Sequence, residues 1–371
     1  RHYPMPQLTL NDLQTLEQSG RYQEATQAAL DALKSPEEAV CLAGAVFLVA
    51  NAKYDHMGDA LAVLRPVHEK FAGDFTVCGA LAYAAWFKGD VELCRWASHR
   101  CIALNSENLA GYLRLGMQEL MSQRPAEAFL AFSAGVLHCK KEASALFEWY
   151  RLSKALMQGT NIVAFDWEGM RFSFRLATYN GHALEAAVSH MRGHLCEEEE
   201  LRYLREFVGH CDSVVEVGAA VGNHTLFFAK ALTPKRIHVF DANAPAVAQT
   251  KENIALNCSG PGNPEIAVHF VAVGATPGRI RIFDQDVPVV RLDDEVKDTV
   301  DFIKIDVDGM EMQVLEGCRG IIVRDRPKLM IEVQNYLKDQ FQVFLHEHDY
   351  VVAREMVRAG DSNYFIRSRL K

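Results

Sequence analysis

The chain has no C-x-x-C pair, although nine of its 371 residues are cysteine. Zinc ribbons and thioredoxin-like redox sites place cysteines at that spacing, so the sequence disfavours both. Several of the cysteines fall in apolar helical patterns, where a free thiol acts as a small hydrophobe; this suggests reduced thiols and a cytoplasmic location. Long apolar runs are also missing. The longest, Ala39 to Ala52, has 14 residues and is too short to span a bilayer. No secretory leader pattern is visible at the N-terminus. Positive charge is not in excess either: 39 Lys and Arg face 48 Asp and Glu, a net charge of −9. A nucleic-acid partner calls for a basic face, so none is expected. What is present is a globular composition, 49% hydrophobic and 23% charged, enough for roughly two or three domains with buried cores.

Proline is sparse over the first 155 or so residues, and apolar residues recur at three- and four-residue spacing. The pattern predicts helix throughout, broken near Ser19-Gly20, Ala72-Gly73-Asp74, Lys88-Gly89-Asp90 and Ser122–Pro125. Small residues repeat: Ala25, Ala60, Cys94 and Ala128 lie 35, 34 and 34 positions apart, and Ala82 and Gly116 lie 34 apart. Each would let two helices approach closely. A 34-residue period resembles the tetratricopeptide repeat, with about four extra residues needed near Asn51 to Asp59. That resemblance implies stacked helix pairs with a concave surface, suited to a protein partner or to self-association.

After Gly159 the pattern changes. Ile162–Phe165 and Met170–Arg175 read as a hairpin, and a helical stretch with the acidic run Glu197 to Glu200 follows. From Ser213 strands and helices alternate. Strands are expected at Ser213–Val217, Arg236–Phe240, Ala267–Val273, Asp301–Val307, Leu329–Val333, Tyr350–Glu355 and Tyr364–Ile366. Helices are expected at Thr225–Ala231, Ala244–Asn257, Met310–Ile322 and Leu337–His346. The expected division is a helical repeat domain over 1–158, a hairpin and helical lead-in over 159–212, and an α/β domain with a mostly parallel sheet over 213–371.

The first strand of this domain runs into Glu216-Val-Gly-Ala-Ala-Val-Gly222-Asn223-His224. Gly218 permits positive φ and close ligand approach, and Gly222 lets a helix begin beside the ligand. The spacing G-x-x-x-G is not the G-x-G-x-x-G of a dinucleotide site, which disfavours a nicotinamide-dependent oxidoreductase. S-adenosylmethionine has no phosphate; its ammonium group would suit a carboxylate such as Glu216. Asp241 ends the second strand, 23 positions after Gly218, where an acid can accept ribose hydroxyls. Gly218, Ala219, Gly222, Asn223 and Ala242 complete the expected cofactor shell, with Asp306 at its edge. A third cluster, Asp306, Asp308 and Glu332, lies at strand ends, where carboxylates repel unless they meet a cation or share a proton.

These stretches resemble the FkbM-type methyltransferases. The resemblance rests on Glu216–Gly222, Asn253-Ile-Ala-Leu-Asn257, Val290-Arg-Leu-Asp-Asp294, Lys304-Ile-Asp-Val-Asp-Gly-Met-Glu311 and Val314-Leu-Glu-Gly317. It covers roughly Asn161 to the C-terminus. It implies a class I, Rossmann-like methyltransferase fold with a seven-stranded sheet. It also implies S-adenosylmethionine as donor, and O-methylation of a sugar, a surface glycan or a secondary metabolite. The family usually has Asp at Glu216, Asn at Ala220 and Glu at Asp308.

Asp306 is the first choice for general base, with Asp308 and Glu332 beside it. No residue is assigned as a fixed metal ligand, although these three carboxylates form an all-oxygen set suited to magnesium. His224 is a second candidate base, with packing against the helix start as its other role. Trp167, Phe172 and Tyr179 are candidates for the acceptor pocket or for plain core. The competing functional class is a repeat-based interaction scaffold with an inactive methyltransferase-like domain.

Overall fold

The computed structural model describes residues 8–51, 56–282, 285–358 and 360–370. The chain divides into two compact units, Arg1–Thr160 and Asn161–Lys371.

The first unit is all helical among the described residues. Its helices are α1 (Leu10–Gln18), α2 (Tyr22–Ala32), α3 (Glu38–Ala50), α4 (Met57–Val67), α5 (Phe75–Phe87), α6 (Val91–Leu104), α7 (Leu109–Met121), α8 (Pro125–His138) and α9 (Ala143–Met157). Two of the sequence breaks end in side-chain caps, Asp74 and Asp90 accepting the amides of Val77 and Leu93, and Asn108 caps α7 in the same way through the Ala110 amide. Ala25, Ala60, Cys94 and Ala128 are all fully buried. At Gly116 even a Cβ would fall 2.3 Å from the Phe132 ring, so α7 and α8 meet there only because one residue lacks a side chain. The extra residues expected between Asn51 and Asp59 fall largely on 52–55, outside the described residues. No helix among the described residues is long and apolar enough to cross a membrane.

The second unit opens with the antiparallel hairpin β1 (Ile162–Trp167) and β2 (Met170–Arg175). Glu168 and Gly169 both take positive φ, the turn that matches strand twist. Helices α10 (Gly181–Met191) and α11 (Glu198–Val208) follow. Then come β3 (Ser213–Val217), α12 (Asn223–Phe227, continued by a π-helical turn over Phe228–Leu232), β4 (Arg236–Asp241), α13 (Ala244–Asn257) and β5 (Glu265–Phe270). The strand expected over Ala267–Val273 is split. After β5 the chain leaves the main sheet, and β6 (Ala272–Val273) joins β7 (Gly278–Ile282) and β8 (Gln285–Val290) in a small separate sheet. That β7–β8 hairpin was not foreseen. Helix α14 (Leu292–Glu295), β9 (Phe302–Ile305), α15 (Glu311–Gly317), α16 (Arg319–Asp325), β10 (Lys328–Gln334), α17 (Lys338–Glu347), β11 (Tyr350–Val357) and β12 (Asp361–Ser368) complete the chain. The helix expected over Met310–Ile322 is interrupted at Cys318.

The main sheet has seven strands in the order β11-β12-β10-β9-β3-β4-β5. Only β12 runs antiparallel to its neighbours. Side chains alternate between its two faces. Val215, Val217, Ile303, Ile305 and Ile331 pack on one face with Val314, Ile321 and Phe341. Val214, Val239, Phe302, Met330 and Phe365 pack on the other with Leu201, Leu204, Phe227 and Phe172. Glu216 and Lys304 are register partners, and by alternation they fall on this second, apolar face.

Candidate active site

Strand order reverses between β3 and β9: β4 and β5 extend the sheet on one side, β10 on the other. Ligands in such sheets bind beyond the strand ends at this reversal. Gly218 leaves β3 at φ +85, and a Cβ there would lie 1.7 Å from the Asp306 carbonyl oxygen. Only glycine fits. The amides of Ala219 and Ala220 both donate to Asp241 Oδ2 at 3.0 Å, and the Asn243 amide donates to Oδ1 at 2.8 Å. Gly218 N–H donates to Phe240 O, and Gly222 N–H to Ala219 O. Thr250 and Asn253 hold the carbonyls of Ala220 and Val221. These four loop amides therefore turn inward, whereas a phosphate cradle needs them free.

Asp241 thus has a structural task beside any ligand contact: it ties the glycine loop to β4. It remains partly exposed. Burial pushes its pKa up, opposed by the amides of Asn243, Ala220 and Ala219. Ala242 is likewise partly exposed, and Ala219 is buried. Ala220 holds a left-handed φ of +49, a conformation that asparagine tolerates better than alanine. Gly222, at φ +79, packs against Thr250.

Two of the expected cofactor contacts, Glu216 and Asn223, are engaged within the fold. Glu216 is 0% exposed, so it offers no surface to an ammonium group. Its Oε2 accepts the Thr225 hydroxyl at 2.5 Å, and burial raises its pKa to about 7 despite nearby Lys304. Asn223 is engaged within the fold: its Oδ1 accepts the Cys196 amide and faces His190 Nε2, and its Nδ2 donates to Cys196 O. It anchors the loop to the segment after α10 and has little left for a ligand. Of the two roles open to them, Trp167 and Phe172 take that of plain core. His224 is also buried, and burial with Lys304 nearby depresses its pKa to about 3, so it stays neutral.

Asp306, Asp308 and Glu332 do converge, with carboxylate oxygens within 4.8 Å of one another. They stand two residues or more past the register row of Glu216, Lys304 and Met330, at the C-terminal edge of the same face. Lys304 Nζ donates to Asp306 Oδ2 at 2.9 Å and to Gly218 O at 2.8 Å. Burial alone would lower the Lys304 pKa, but Asp306 and Glu216 outweigh it and hold the ammonium charged. Burial drives Glu332 well above the usual carboxylate range, with Asp306 and Asp361 adding to the effect and Arg358 opposing it. Arg358 also binds Glu197 and Glu200, so α11 is strapped to the sheet edge. Glu311 Oε1 accepts the Gly309 amide at 2.8 Å and shapes the turn carrying Asp308, which has φ +50.

Lys304, Thr225 and Arg358 had no assigned place in this geometry. Lys304 carried a signal: a lysine inside the apolar strand Phe302-Ile-Lys-Ile305 must face a carboxylate. Arg358 carried none, because its partners are more than 150 residues distant in sequence, apart from Glu332.

Residues 216–358 match the family model described as the methyltransferase FkbM domain. A comparison with curated proteins finds no match. Among solved structures, a methyltransferase FkbM from Methylobacillus flagellatus KT is 21% identical, with TM-score 0.38, covering 50% of this chain and 55% of that one. The chain thus spans little more than half of that protein. A ribosomal protein L11 methylase from Lactobacillus delbrueckii subsp. bulgaricus is 16% identical, with TM-score 0.33, covering 46% and 78%. A magnesium protoporphyrin IX methyltransferase from Synechocystis PCC 6803, solved with bound SAM, is 11% identical, with TM-score 0.34, covering 50% and 83%. Within the second unit, the stretch 216–358 is thus similar to the methyltransferase FkbM domain.

Proposed function

We propose that the second unit transfers a methyl group from S-adenosylmethionine to a hydroxyl of a sugar, glycan or small metabolite. One observation carries the reading: Asp306, Asp308 and Glu332 converge on the sheet edge where the glycine loop and Asp241 meet. The donor fits this edge. The inward-turned loop amides suit a nucleoside without phosphates, and partly exposed Asp241 retains acceptor capacity for a ribose hydroxyl. Gly218 and Gly222 keep the loop free of bulk on that side.

When bound, S-adenosylmethionine supplies a methyl group already activated on a sulfonium. The chain's own contribution is position and proton removal. Asp306, about one-third exposed and held by Lys304, faces outward and takes the acceptor proton. Glu332, whose carboxyl is pushed above the usual range by burial and by Asp306, suits hydrogen-bond donation better than proton removal and orients the acceptor oxygen. Glu216 acts indirectly: with Lys304 it secures the loop and Asp306. Positioning of the acceptor in line with the methyl group supplies much of the acceleration. In the first unit, the buried small residues at 34-residue intervals support stacking of the tetratricopeptide kind.

Calorimetry of the full chain with S-adenosylhomocysteine tests the reading. Micromolar binding that disappears in Asp241→Ala is expected. No heat from the wild-type protein overturns it.

A further inference from the structure

Tyr179 lies between β2 and α10. Its ring packs against Val221 of the glycine loop, together with Ala177, Ala183 and Ala186. Its hydroxyl oxygen is buried and has no hydrogen-bond partner. Buried hydroxyls are normally paired, so an orphan beside the glycine loop marks a place for a ligand atom. Asp241 is close enough for its charge to add to burial in raising the phenol pKa, so the phenol keeps its proton.

The residue is rigidly placed. Arg175 N–H donates to Asn253 Oδ1 at 2.9 Å, and the same Asn253 side chain donates to Val221 O at 2.8 Å. Gln249 holds Arg175 O, and Leu176 N–H donates to Asn161 O. On the far side, Asn180 caps α10 through the Ala183 amide. One asparagine therefore fixes both the approach to Tyr179 and the loop it packs on.

We infer that Tyr179 is a donor-binding residue whose hydroxyl pairs with the ribose hydroxyl held by Asp241; this rests on the reading of S-adenosylmethionine as cofactor. The chemistry is complementary. An ionised carboxylate only accepts hydrogen bonds, whereas a protonated phenol also donates. Asp241 takes the hydrogen of a ribose hydroxyl, and Tyr179 donates to its oxygen.

Tyr179→Phe removes the hydroxyl and keeps the packing ring. Calorimetry on the full chain should compare S-adenosylhomocysteine with its 2′-deoxy and 3′-deoxy analogues. The variant should bind S-adenosylhomocysteine roughly fivefold to tenfold more weakly, the loss of one neutral hydrogen bond. One of the two deoxy analogues should bind variant and wild type equally. Wild-type affinity retained in the variant overturns the inference alone, as does an undiminished loss with both deoxy analogues. Absence of binding by the wild-type protein overturns the cofactor reading, and the inference with it.

Discussion

The ammonium of Lys304 donates to the carboxylate of Asp306 at 2.9 Å, two residues along the same chain. Because Lys304 is buried and Asp306 is partly exposed, a charge inside the sheet face fixes a group at its edge. Glu216 balances the same ammonium from β3. Lys304→Met would leave Glu216 and Asp306 without their counter-charge. We expect a loss of about 3 kcal/mol in urea denaturation. Adding Glu216→Gln should recover part of it, and no recovery would show that the two residues are uncoupled.

Asp306→Asn keeps shape and removes the base. Turnover of a methyl acceptor should fall by about 10²–10⁴-fold. Affinity for S-adenosylhomocysteine, measured on the same protein, should change little. Unaltered turnover would leave Asp306 with a structural role only.

Ala220 holds its left-handed φ with an exposed side chain, so a substitution there meets no packing obstacle. Ala220→Asn should stabilise the protein by roughly 0.5–1 kcal/mol, since asparagine visits this region more readily. Thermal melts of the two proteins measure the effect, and a lower melting temperature would contradict the strain argument.

His190 is buried against Phe174, and burial lowers its pKa to about 4, opposed by the Asn223 hydrogen bond. Its unfolded form protonates near pH 6.5. Between these values the unfolded state binds the extra proton. This contribution is complete above pH 6.5 and is lost as pH falls toward 4. His190→Gln removes one titrating group. Its stability should therefore fall less steeply than wild type from pH 6 to 4.5, by about 1.4 kcal/mol per pH unit. Parallel slopes in denaturant titrations would refute the assignment.

Much of the architecture was legible. The strand-helix alternation, the glycine loop and the acids at strand ends are local patterns, and β3 and α13 lie where the sequence placed them. The small sheet of β6, β7 and β8 was missed, because a change of sheet after Phe270 depends on pairing with Ala272–Val273 from Val289 and Val290. The break at Cys318 was hidden by an apolar period that continues across it.

The site divides in the same way. Sequence alone determined which carboxylates end adjacent strands, since period-two alternation and parallel pairing put Asp306 and Glu332 on one face. It could not determine which of them reach solvent. Covering of the sheet by α11, α12 and the β1–β2 hairpin sealed Glu216 and His224 and left Asp306 open. It also brought Tyr179 beside the glycine loop. Accessibility is a property of what packs over a residue, and the hairpin that completes the cover lies more than forty residues before Glu216 in the chain.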